Sequence, residues 1–100
     1  MTIAVKIYNS YRIVVALCDS NLVGKKFEEG KRQLHLRENF YKEKEVTKEE
    51  AIKIIKQEIL NDATFNIVGE NAVSAAISSG LIEKSSTDSI GGIPFALTLL

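Results

Sequence analysis

Residues 3–19 read IAVKIYNSYRIVVALCD, and the way this stretch folds decides how the rest of the chain can be arranged. Ile3, Val5 and Ile7 alternate with Ala4, Lys6 and Tyr8, the period of two that sends successive side chains to opposite faces of a strand. From Arg12 to Asp19 the chain is β-branched and apolar on both faces. The short, turn-prone Asn9-Ser10 step between the two runs predicts an antiparallel hairpin. A strand with no polar face belongs in the middle of a sheet. If Ile3, Val5 and Ile7 meet the helices, then Ala4, Tyr8, Val14, Ala16 and Cys18 line a second face more apolar than water usually meets. That face predicts a homodimer, another partner or a covering C-terminal segment.

Beyond Asp19, SNLVGKKFEEGK (residues 20–31) reads as a loop punctuated by Gly24 and Gly30, and Arg32–Arg37 as a third strand. There Leu34 and Leu36 face inward, with Gln33, His35 and Arg37 outward. Thr47-Lys48-Glu49-Glu50 has the form of a capping box, in which Thr47 and Glu50 each satisfy an unpaired backbone N–H of the other. Ile52, Ile55 and Ile59 follow at helical spacing. A second helix runs from about Glu70 to Ser79 within NIVGENAVSAAISSG (residues 66–80), and Gly80 suits the left-handed position after its end. SIGGIPFALTLL (residues 89–100) would add an edge strand, where Pro94 is tolerated. The predicted fold is α+β: a two-layer α/β sandwich, an antiparallel sheet with two helices on one face, in the order β-β-β-α-α-β.

A chain of 100 residues, 45% hydrophobic and 26% charged, makes one domain over residues 1–100. Thirteen basic residues balance thirteen acidic ones. A protein whose main work is coating nucleic acid would carry a large positive excess, because that affinity comes from neutralising phosphates. The apolar run Ile13–Cys18 is too short for a membrane span or a signal-peptide core, so a cytoplasmic location and no membrane partner are expected.

Few residues suggest chemistry. His35 is the single histidine, which excludes a metal site needing two. Cys18 lies in an apolar strand beside Asp19, a setting for a buried thiol and not for a thiolate nucleophile. Most carboxylates fall in mixed-sign runs such as KEKEVTKEE (residues 42–50), which read as solvated faces. LVGKKF lacks the flanking residues of a P-loop, and SIGGIPF lacks dinucleotide-binding spacing. Gly69 opens a helix, and helix N-termini attract anions. Glu70, however, already places a carboxylate in the first turn, with Asn71 beside it, so Gly69 reads as a helix start. No catalytic residue, metal or cofactor is expected. What remains is a basic cluster, Lys25, Lys26, Lys31, Arg32, His35 and Arg37, with Phe40 and Tyr41 close behind in sequence. Basic residues interleaved with aromatics suit RNA.

Four stretches, VVALCDSNLVGKKFEEG, NFYKEKEVTKEEA, FNIVGENAVSAAISSGLI and SIGGIPFA, together resemble the archaeal domain-of-unknown-function family 424. The resemblance spans nearly the whole chain and lies in the order and spacing of the blocks, none of which is diagnostic of a reaction. It implies a small cytosolic protein with a two-layer α/β fold and no established enzymatic activity. Asn66, Gly69, Gly80, Gly91 and Pro94 match the family blocks and are carried over as fold-defining residues. The family's last block often reads Pro-His where this chain has Pro94-Phe95, so a histidine role at that point is absent here. The expected function is a non-catalytic interaction module, a peripheral component of a ribonucleoprotein such as a ribosomal subunit, with the basic cluster on phosphates. The alternative is a small enzyme or ligand-binding protein with a pocket between the Gly24 loop and the Gly91-Gly92 turn.

Overall fold

The opening hairpin forms. In a computed structural model that describes residues 1–98, strands β1 (Ile3–Asn9) and β2 (Ile13–Asp19) pair antiparallel from Ile3↔Asp19 to Asn9↔Ile13. The chain continues through a 3₁₀ turn (Ser20–Leu22) into β3 (Lys26–Glu29), β4 (Arg32–His35) and a short helix α1 (Glu38–Tyr41). Next come β5 (Lys44–Val46), α2 (Lys48–Leu60), β6 (Thr64–Val68) and α3 (Glu70–Ser78). A 3₁₀ turn (Lys84–Ser86) then leads to β7 (Asp88–Ile90) and β8 (Ile93–Thr98).

This architecture corrects the predicted one. The main sheet has six strands in the order β5-β1-β2-β6-β8-β7, and it is mixed. β2 runs parallel to β6, from Val14↔Thr64 to Cys18↔Val68, whereas the other pairs are antiparallel. The reason is a crossover: α2 carries the chain back across one face, so β6 starts at the same end of the sheet as β2 and must run beside it in the same direction. Among the described residues there are three helices, not two, and β3 and β4 form a separate two-stranded sheet. The segment read as a loop up to Lys31 contains β3. At the C-terminus the expected edge strand is a β7–β8 hairpin, with β8 lying between β6 and β7. The end of that run, residues 99 and 100, lies outside the described residues.

Pro94 is tolerated in this interior strand for a specific reason. Its carbonyl accepts from Gly69 N at 2.8 Å. The N–H it lacks would have faced the Gly69 carbonyl, which instead accepts from Val73 N at 2.9 Å in the first turn of α3.

The sheet is covered on both faces. On one, Ile3, Val5, Val15, Leu17, Phe65 and Ile67 pack under Ala51 and Ile55 of α2 and Ala72, Val73, Ala75 and Ala76 of α3. The capping box of α2 is formed: Glu50 N donates to Thr47 Oγ1 at 3.2 Å and Thr47 N to Glu50 Oε1 at 2.9 Å. Lys48 Nζ donates to Ser74 Oγ at 2.7 Å and ties α2 to α3. On the other face, Ala16, Cys18 and Val68 lie under Leu36 and Tyr41, with Phe27, Leu34 and Phe40 packed around them. The face that suggested a homodimer is therefore covered over this half by the β3–β4 hairpin and α1 of the same chain. Among the described residues no helix is long and apolar enough to cross a membrane.

Candidate functional site

Two places merit a functional reading: the carboxyl ends of the parallel strands, and the basic hairpin. At the first, Asp19 ends β2 and Gly69 directly follows β6, side by side. Asp19 is 4% exposed. Its carboxylate accepts from Ala72 N at 2.8 Å, from Asn71 N at 3.0 Å and from Asn71 Nδ2 at 3.3 Å. α3 begins at a glycine with no side chain to satisfy its first N–H groups, so an acid from a neighbouring strand does so instead. The geometry demands glycine at 69. Its φ is +105°, and a Cβ there would sit 2.4 Å from Asp19 Cγ.

The dipole argument thus holds with a different anion. Glu70, expected to occupy the helix start, is exposed, and Asp19 from the end of β2 occupies it. Burial raises the Asp19 pKa, against the lowering pull of the Asn71 and Ala72 donors, and the Glu70 charge adds to the rise. Burial also pushes the adjacent Cys18 thiol up to about 12, helped by the Asp19 charge, so Cys18 is a protonated core thiol.

A cleft of about 200 Å³ opens beside this cap, with Asn21, Leu22, Glu70, Asn71, Gly92 and Ile93 among its lining. It overlaps the alternative pocket only in part, since Gly92 lines it and Gly24 and Gly91 do not. Gly91 packs on the hairpin instead: a Cβ there would lie 3.4 Å from Glu28 O and Phe27 Cβ, and its N–H donates to Glu29 Oε1 at 3.0 Å. The one buried acid at the cleft accepts three hydrogen bonds from the start of α3. No group of three or more His, Cys, Asp or Glu among the described residues could hold a metal.

The second place is the β3–β4 hairpin, where Lys25, Lys26, Lys31, Arg32, His35 and Arg37 are all exposed. Phe27 and Leu34 pair across the strands and point at the sheet, so Lys26↔His35 and Glu28↔Gln33 point away from it. Lys26 Nζ lies 3.3 Å from Glu28 Oε1, a solvent-exposed pair. Lys31 stands at the hairpin turn, while Lys25 and Arg37 flank its open end.

Arg32 is different. Its Nη2 meets Asp88 Oδ2 at 2.6 Å and its guanidinium lies 6.0 Å from the Phe95 ring centre, so it clamps the hairpin to β7 and β8. The Ser89 N–H and then Arg32 lower the Asp88 pKa. Nor do the neighbouring aromatics stay beside the cations. Phe40 stacks on Tyr8 at 5.5 Å, and Tyr41, 5% exposed, donates to Asn66 Oδ1 at 2.8 Å. Gly80 takes φ +84° just beyond α3, where Leu81 N donates back to Ala76 O at 3.1 Å.

Sequence reasoning missed the Asp19 cap. The available signal was an acid closing an apolar central strand, combined with a helix preceded by a glycine where a capping side chain usually stands.

Fold and site define a small mixed-sheet α/β domain with a charged hairpin laid over one face and a buried, helix-capping acid at the strand ends. The chain belongs to the archaeal family described as "Protein of unknown function (DUF424)", whose model matches residues 8–99. It is similar to the crystal structure of an uncharacterised conserved protein from Methanopyrus kandleri, at 27% identity and a TM-score of 0.90 over 98% of this chain and 90% of that one. No curated protein matches it.

Proposed function

We propose that this protein is a non-catalytic interaction module that docks on the surface of a ribonucleoprotein through the outward face of the β3–β4 hairpin. The observation that carries this reading is how charge is sorted on the hairpin. Glu29 accepts from the Gly91 N–H and Arg32 pairs with Asp88 on the side facing β7, while Lys25, Lys31, His35 and Arg37 are exposed and Lys26 is exposed beside Glu28. Such a patch contacts phosphates without sequence readout. A net charge of zero fits a peripheral position better than burial in RNA. The state of Asp19 and Cys18 favours this reading over catalysis, because a general acid or nucleophile needs a free, accessible atom.

The test is fractionation of native cell extract on a density gradient at low salt, with immunodetection of the protein. The expected result is co-migration with ribosomal subunits that is lost in high salt. Recovery only at the top of the gradient at both salt concentrations would contradict the proposal.

A further inference from the structure

We propose a second contact site at the far end of β2, where the ring of Tyr11 receives one unpaired base of single-stranded RNA. The choice of ligand rests on the RNA reading above, but the site shares no residue with the hairpin. Tyr11 occupies the three-residue connection between Asn9 and Ile13, and its relative exposure is 104%. Its ring covers none of the core, although a large aromatic surface is ordinarily put to that use.

Beside it lies an open groove of about 510 Å³, formed where the β1–β2 turn meets the loop from α2 into β6. Asn9, Arg12, Asn61 and Asp62 line it with Tyr11, and Asp62 adopts a left-handed φ of +55°. Asn9, Asn61 and Asp62 offer amide and carboxylate donors and acceptors in several directions. A protein partner's anchor seeks an apolar, water-excluding pocket, which this lining does not provide. An extruded base has the two properties the site matches: a flat π surface to stack on a bare ring, and a polar edge to hydrogen-bond beside it.

The test uses the full chain and a single-stranded oligoadenylate, with the same strand in duplex as the comparison. The expected result is tighter binding of the single strand, weakened about 5- to 100-fold by Tyr11→Ala and retained by Tyr11→Phe. The dependence on salt should be the same for all three proteins, because the ring neutralises no phosphate. Tyr11→Ala binding as tightly as the wild type would overturn this site while leaving the hairpin reading intact. Failure of the wild type to bind either form of the probe would overturn both. Tyr11 is fully exposed, so its loss leaves the folded chain available for the measurement.

Discussion

At the residue scale, Asp19 and Gly69 form one device, in which a buried carboxylate caps a helix from a neighbouring strand and only a glycine leaves it room. Asp19→Ala would strand the Ala72 and Asn71 N–H groups and is expected to cost about 2 kcal/mol, measured by chemical denaturation. The pH dependence has a definite sign. The folded pKa of Asp19 lies above the ordinary 3.8, so between the two values the folded chain holds a proton that the unfolded chain has released. Stability from this group is therefore present at low pH and falls as pH rises through that window. Asp19→Asn removes the effect, and the wild type should gain stability relative to that variant on going from neutral pH toward pH 4. The opposite contributions of Glu50 and Asp88, whose pKa values are lowered, are common to both proteins and cancel in the comparison. Parallel stability curves would contradict the account.

At the element scale, the legible parts were those with a local signal. Ile3, Val5 and Ile7 announce β1 by alternation, and Thr47 with Glu50 announces α2 by its cap. β6 gives no such signal: Thr64–Val68 is five residues long, buried on both faces and interrupted by Asn66, whose polarity is explained only by the distant Tyr41 hydroxyl. Its parallel direction follows from the crossover, which no local pattern encodes. In the hairpin, alternation around Leu34 announces the second strand, but two glycines and a dense run of charge make the first strand, with Phe27 inward, read as a loop. The hairpin seals Cys18 against solvent, which gives a measurable consequence. Thiol labelling of the folded protein should be slow, because the group is buried and its pKa is about 12. If the hairpin opens as a local unit, Leu34→Ala should speed labelling by roughly tenfold or more, ahead of any matching loss in global stability. A rise that only tracks global unfolding would mean that hairpin and sheet open together.

At the scale of the whole molecule, net neutrality conceals an uneven distribution. The sequence places six basic residues within Lys25–Arg37, but their meaning depends on contacts far along the chain. Asp88 pairs with Arg32, and Asn66 and Tyr8 hold the aromatic rings that seemed available for stacking. The residues proposed to contact phosphate are then the exposed Lys25, Lys26, Lys31, Arg37 and His35. Their proposed role is tested most directly by the salt dependence of RNA binding. For about four phosphate contacts to a single strand, the plot of log affinity against log salt should have a slope near −3. Combined Lys25→Glu, Lys26→Glu and Lys31→Glu should flatten that slope toward zero. An unchanged slope in the triple variant, or no salt-dependent binding by the wild type, would contradict the account.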